Sequence, residues 1–172
     1  MTLSLALSVA RRTVEFDRRL RAGETIPSAY NLGLSLFNKT IGLVGMGDIA
    51  REVALKFSLA FSCKIIIYSP TSPAARWTTS STVPSEPVIP HTRVATLDEL
   101  LEQSDVVSLH CPELPETRNM MGQAQFAKMK QSAIFLNLGR GGLVDEDALY
   151  EACKNRRIFG AGMLYVLHSS GV

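Results

Sequence analysis

Lys39-Thr-Ile-Gly-Leu-Val-Gly-Met-Gly-Asp-Ile-Ala50 is the stretch whose reading decides the fold. Thr40 to Val44 is a short apolar run rich in β-branched residues, the pattern of a buried strand. It ends in Gly45-Met-Gly-Asp-Ile-Ala50, and Ile49, Val53, Ala54 and Phe57 then recur at helical spacing. A strand, a glycine turn and a helix in that order raise a G-x-G-x-x-A match above coincidence, the alternative being an ordinary strand-to-helix turn. Gly45 permits the tight turn, Gly47 lets backbone approach a pyrophosphate, and Ala50 keeps the helix close to the sheet. The unpaired N–H groups at the helix start then face the phosphates.

Further along, apolar strands alternate with helices. Cys63–Tyr68 reads as a second strand and Thr92–Ala95 as a short third one. Thr96-Leu-Asp-Glu99 has the form of a capping box opening a helix. Asp105–His110 is another strand, and Pro112 and Pro115 keep the loop after it from becoming helical. A helix over 123–130, a strand at Ala133–Asn137, a helix over 146–155 and a strand at 158–164 complete the series. Strands that are apolar throughout imply a parallel sheet covered on both faces, an α/β, Rossmann-like doubly wound domain over residues 39–164. Residues 3–21 read as one amphipathic helix, with Leu3, Ala6, Leu7, Ala10 and Val14 on a stripe. An uncovered apolar stripe there would favour a homodimer. Residues 70–91 hold five of the eight prolines and read as an exposed, mobile loop. Residues 165–172 read as a divergent tail.

Composition narrows the function classes. With 172 residues, 46% of them apolar and 20% charged, a full core is available. The net charge of +2 argues against nucleic acid or an anionic membrane as partner. Three scattered cysteines fit reduced thiols in a cytoplasmic protein, and no Cys or His has a partner at metal-ligand spacing, so no metal is expected. The apolar start lacks a basic leader and runs into Arg11-Arg12, which argues against a targeting peptide. No apolar run reaches the ~20 residues that span a bilayer.

Two positions bear on chemistry. An acid about 20 residues past the glycines ordinarily binds a ribose 2′-OH, but Ser69 stands there. Ser69, Thr71 and Ser72 with nearby Arg76 would suit a 2′-phosphate, hence NADP; alternatively the adenosine end is held more weakly. Arg140 lies in the glycine-rich turn Leu138-Gly-Arg-Gly-Gly-Leu143 after a strand, the edge of such sheets where ligands bind. A guanidinium there can grip a carboxylate through two hydrogen bonds, or it can anchor loop carbonyls.

Residues 3 to about 163 resemble the nucleotide-binding domain of the D-isomer-specific 2-hydroxyacid dehydrogenases, the family that includes D-3-phosphoglycerate dehydrogenase. The resemblance is carried by Arg19-Leu-Arg-Ala-Gly23, the glycine turn, Leu97-Asp-Glu-Leu-Leu101, Ser104-Asp-Val-Val-Ser-Leu-His-Cys-Pro112, Pro115-Glu-Thr-Arg118 and above all Asn137-Leu-Gly-Arg-Gly-Gly-Leu-Val-Asp-Glu-Asp-Ala148. It implies NAD(P)-dependent hydride transfer between a 2-keto acid and a D-2-hydroxy acid. Arg140 would hold the substrate carboxylate and polarise the carbonyl. Gly45, Gly47, Asp48 and Ile49 would meet the pyrophosphate, Ser69 the adenosine ribose. Cys111, Pro112 and Thr117 would border the cofactor, and the backbone of Leu138, Gly139 and Arg140 would lie near the nicotinamide. Departures are equally specific. Asp48 puts a carboxylate where a pyrophosphate belongs, unless it turns away to cap the helix. Leu164 and Ser169 stand where the family has an Asp and a catalytic Glu. The segments carrying the rest of the substrate domain and the acid/base His have no counterpart, so the chain reads as truncated at both ends, and the resemblance makes residues 1–38 an interdomain-type helix and loop. Without such a His, hydride transfer is expected to be slower by ~10²–10⁴. The alternative is a catalytically silent nucleotide-binding or dimerisation module.

Overall fold

The computed structural model describes residues 1–27, 29, 31–73, 75–77 and 88–164. Six parallel strands form one sheet: β1 (Thr40–Val44), β2 (Lys64–Tyr68), β3 (Thr92–Arg93), β4 (Val106–Leu109), β5 (Ile134–Asn137) and β6 (Gly160–Met163), in the order β3-β2-β1-β4-β5-β6. Two helices, α1 (Thr2–Ala10) and α2 (Thr13–Arg21), precede β1; α3 (Asp48–Phe61) follows it. Next come α4 (Leu97–Gln103), α5 (Gln123–Lys128) and α6 (Glu146–Lys154), with a 3-10 turn at Gly141–Leu143. This is the α/β doubly wound arrangement expected from the alternation of strands and helices. The order reverses between β1 and β4, the point at which ligands bind in open sheets of this kind.

Strand alternation sends side chains to two cores. Ile41, Leu43, Ile65, Ile67, Val106, Ile134 and Leu136 pack with Ala6 and Ala10 of α1 and Ala50, Val53, Ala54 and Phe57 of α3. Val44, Ile66, Val107, Leu109 and Phe135 pack with Leu100 and Leu101 of α4, Phe126 of α5 and Leu149 and Ala152 of α6. Both faces are covered, so every strand can be apolar throughout. At the amino edge, Asp105 ties three segments together. Its carboxylate accepts the Thr40 N–H at 2.9 Å and pairs with Lys130 at 3.0 Å. Burial acts to raise its pKa, but these two partners, together with the nearby Lys39 charge, outweigh it and hold it below the ordinary value.

Five expectations need correction. The helix read over 3–21 is two helices, because Arg12 is left-handed (φ 54°). The Ala10 carbonyl accepts the Leu34 N–H at 2.7 Å, in place of the Val14 amide a continuous helix would supply. Arg12 then forks onto Glu15 and lies 5.0 Å over the Phe16 ring. Nor is the first helix an uncovered apolar stripe: Ala6 and Ala10 are fully buried, and the exposed apolar residues, Val14 and Leu20, lie on α2. Third, the stretch read as an exposed loop over 70–91 is anchored at both ends, with Trp77 and Ile89 buried in the α3-side core and Trp77 edge-on to His91. Its centre at 78–87, with Pro84 and Pro87, and the tail from 165 with His168 and Ser169, lie outside the described residues. Fourth, Ile49 does not join the buried helical stripe: it is exposed, and the stripe starts at Ala50. β3 is also shorter than Thr92–Ala95, since only Thr92 and Arg93 pair with β2.

Gly42 shows how tightly the α4 side is packed. A β-carbon there would lie 2.7 Å from Leu100 Cδ2 and would also collide with Ser104 Oγ, both fully buried residues. Gly42→Ala is therefore expected to destabilise the fold by about 1–3 kcal/mol through overpacking, read as a lower urea midpoint with an unchanged denaturant slope. An unshifted midpoint would contradict this packing.

Candidate functional site

Three strand exits meet at the carboxyl edge of the sheet. At the end of β1, Gly45 has φ +107°, and its N–H donates to the Tyr68 carbonyl at 2.9 Å. A β-carbon on Gly45 would sit 2.6 Å from the His110 carbonyl oxygen, so only glycine lets the β1 and β4 exits approach this closely. Gly47 differs: among the described residues nothing lies within 4 Å of where its β-carbon would be. It is extended backbone at the N-cap of α3, and among the described residues no side chain caps that helix. The amides of the first turn of this 14-residue helix thus open onto free space, the geometry that receives an anion. Ala50 is fully buried against the sheet. Asp48 does not turn back as a cap; its side chain is fully exposed, with Oδ1 3.6 Å from Nη2 of Arg76.

At the end of β2, Ser69 is buried and its Oγ lies 2.8 Å from Ser72 Oγ. The guanidinium of Arg93, from β3, donates to the carbonyls of Ser69 (2.6 Å), Ser72 (3.0 Å) and Pro73 (2.8 Å) and so holds this turn shut. The structure therefore brings Ser69 and Ser72 together, leaves Thr71 exposed and sends Arg76 to α3. Sequence reading missed Arg93, because its partners are carbonyls 20 to 24 residues away and carry no motif.

The β4 exit begins with His110, whose Nε2 lies 2.9 Å from Ser108 Oγ. Cys111 is half-buried with Sγ 3.7 Å from Met120 Sδ, and burial pushes its thiol pKa up. Thr117 spends its hydroxyl on the loop itself: it accepts the Leu114 N–H at 2.8 Å and donates to the Pro112 carbonyl at 2.9 Å. After β5, the buried Asn137 side chain closes the next loop, accepting the Gly139 N–H at 3.1 Å and donating to the Arg140 carbonyl at 2.8 Å. Leu138 and Gly139 are half-buried, whereas Arg140 is exposed and, among the described residues, donates only to the Gly139 carbonyl, at 3.2 Å. The two loops are stapled by Asn119 N–H to the Gly142 carbonyl (2.8 Å), Met121 N–H to Leu143 (3.1 Å) and Asp145 N–H to Met121 (3.0 Å). Asn137 was legible as part of a motif, but its clamp was not. An Asn at a strand end before glycine is the signal that would have found it.

The family model of the D-isomer specific 2-hydroxyacid dehydrogenase NAD binding domain matches residues 3–164. The chain belongs to this family. Within it, a glyoxylate/hydroxypyruvate reductase B from Klebsiella pneumoniae is 39% identical over 163 residues, 94% of this chain and 47% of that protein. A D-3-phosphoglycerate dehydrogenase from Methanocaldococcus jannaschii is 36% identical over 95% of this chain and 29% of its own length. The crystal structure of D-lactate dehydrogenase with NAD+ from Lactobacillus jensenii superposes with a TM-score of 0.81 at 35% identity, covering 98% of this chain and 47% of that one. The chain spans about half the length of the reductase and lactate dehydrogenase relatives, and it corresponds to their NAD-binding domain. Among the described residues no cluster of three metal-ligating side chains occurs, and no helix is long and apolar enough to cross a membrane.

His110 makes the site's neighbourhood sensitive to acid. Burial lowers its pKa from 6.5 to about 4, so the folded chain holds the ring neutral while the unfolded chain binds a proton near pH 6.5. Stability from this group is complete above pH 6.5 and is lost as pH falls toward 4, by about 3 kcal/mol at most. Urea unfolding between pH 7 and 4 is expected to show a shallower decline for His110→Asn than for wild type. Parallel declines would contradict it.

Proposed function

We propose that the chain is the dinucleotide-binding half of an NAD(P)-dependent oxidoreductase that interconverts a 2-keto acid and a D-2-hydroxy acid. The observation that carries this reading is the convergence, at the β1/β4 reversal, of an uncapped helix end, an open Gly47 and a clamped loop presenting Arg140. These residues fit a nicotinamide dinucleotide on their own geometry. The backbone of Gly45, Gly47, Asp48 and Ile49 takes the pyrophosphate, and Ser69 meets the adenosine ribose. Cys111, Pro112 and Thr117 wall the cofactor, and Leu138, Gly139 and Arg140 flank the nicotinamide. When bound, that ring supplies or receives the hydride. Arg140, with no carboxylate partner on the chain among its described contacts, holds the substrate carboxylate with paired hydrogen bonds and polarises the keto oxygen. Among the described residues no carboxylate stands at the end of β2 to reject a 2′-phosphate, so both NADH and NADPH are taken.

Proton transfer is the weak point. His91 Nδ1 lies 2.7 Å from the Ile89 carbonyl and His110 is committed to Ser108, so neither described imidazole serves as acid/base. Turnover by this chain alone is therefore slow. Leu164 favours a second reading, a nucleotide-binding module without turnover. It follows β6 and lines, with Leu138 and Leu3, an apolar groove of about 530 Å³, where the family places an Asp. A cytoplasmic setting and association through exposed Val14 and Leu20 of α2 belong to the same proposal.

The test is a fluorescence titration with NADH and NADPH. Saturable binding is expected, lost by at least about tenfold in Gly47→Asp, where a carboxylate would occupy the phosphate position. Arg140→Ala should keep NADH affinity within about twofold, while the further quench on adding glyoxylate disappears, because a charge-assisted contact is lost from the acid alone. Absence of any NADH or NADPH binding would sink the proposal.

A further inference from the structure

The Asp48–Arg76 pair is unexplained by the fold. Asp48 is the first residue of α3 and projects into solvent without capping it. Its charge suits the helix dipole but opposes a pyrophosphate at the same helix end. Arg76 lies across from it, held by the backbone rather than by chance. Its N–H donates to the Pro73 carbonyl at 3.1 Å, and the next residue, Trp77, is buried at φ 66°, its ring T-shaped to that of His91 with centroids 5.6 Å apart. A bulky residue is rarely left-handed, so the core packing of Trp77 fixes where the chain turns and hence where Arg76 points. The guanidinium reaches Asp48, not the Ser69–Ser72 hydroxyl pair or the Arg93-bound turn. At 3.6 Å the pair is beyond hydrogen-bond length, and exposed pairs of this kind are weak. The five-donor guanidinium is thus free to share itself with a second anion.

We propose that Arg76 is the cation that receives the dinucleotide pyrophosphate, held ready at the α3 N-terminus by Asp48; this rests on the dinucleotide-binding reading above. Asp48 then serves to place the guanidinium, and its repulsion of the phosphates is offset by the same group. The contact is to the pyrophosphate shared by both cofactors, not to the 2′-phosphate of NADPH.

Titrations of the purified chain with NADH, NADPH, ADP-ribose and adenosine test this, with Arg76→Gln, Arg76→Lys, Asp48→Asn and the double variant Asp48→Asn/Arg76→Gln. Arg76→Gln is expected to weaken NADH, NADPH and ADP-ribose alike by about tenfold or more, the size of a lost charge-assisted hydrogen bond, and to leave adenosine unchanged. Arg76→Lys should recover part of the loss. The loss should persist in the Asp48→Asn background, because the guanidinium touches phosphate and does not merely shield a carboxylate. Unchanged affinity in Arg76→Gln, a loss confined to NADPH, or a loss that vanishes with Asp48→Asn each overturns the proposal. Failure of the wild-type chain to bind any of the dinucleotides would instead overturn the dinucleotide reading on which it stands. Melting temperatures of the exposed-site variants should match wild type, which separates lost binding from lost folding.

Discussion

The candidate site depends on one steric fact: the backbone of Gly45 and the carbonyl of His110 come too close for any β-carbon between them. That contact brings the exits of β1 and β4 together at the position where the sheet reverses direction. The register places Val44 beside both Tyr68 and Leu109, so the glycine turn leaves the sheet level with its two neighbours. From there α3 starts without a side-chain cap, and its first amides face outward. A larger residue at 45 would clash with the next strand's exit and would also be strained at φ +107°. The crevice is thus a consequence of local backbone chemistry more than of side-chain recognition.

Around that contact, the protein spends its polar side chains on shaping loops. Asn137 closes the Arg140 loop, Thr117 closes the loop after β4, and Arg93 closes the turn after β2. Each satisfies backbone groups that would otherwise need water or a ligand, and each fixes a loop at the ligand-binding edge. Arg140 is the contrast: its guanidinium is exposed and, among the described residues, donates a single bond, to its own neighbour's carbonyl. On the proposed reading, this cation on a clamped backbone is preorganised for an incoming carboxylate.

Much of this was legible in the sequence. The strand-turn-helix at 39–50, the alternation of apolar strands with helices and the Asn137–Ala148 motif pointed to the fold and family that the structure and the comparisons bear out. What escaped depends on contacts distant in the chain. The break at Arg12 comes from Leu34 bonding to Ala10, and apolar periodicity runs through it unaltered. Trp77 and Ile89 are buried in a stretch whose prolines and serines suggested exposure, because two large apolar side chains outweigh composition. Ile49 fits the helical spacing numerically, yet the first turn of α3 juts past the core, so its side chain reaches solvent. The Arg93 and Asp48–Arg76 interactions join residues 20 or more positions apart and had no local signal.

The most direct test of the central claim, that a nicotinamide dinucleotide lies in the β1/β4 crevice, is a ¹⁵N–¹H correlation spectrum recorded during titration with NADH. The account predicts saturable shifts concentrated in the amides of Gly45, Gly47, Asp48, Ile49, Ser69, Cys111, Gly139 and Arg140, with α2 and α6 unmoved. Shifts clustered instead around Leu5, Val9, Ile158 and Phe159, which line a separate groove beside β6, or no shifts at millimolar NADH, would contradict it.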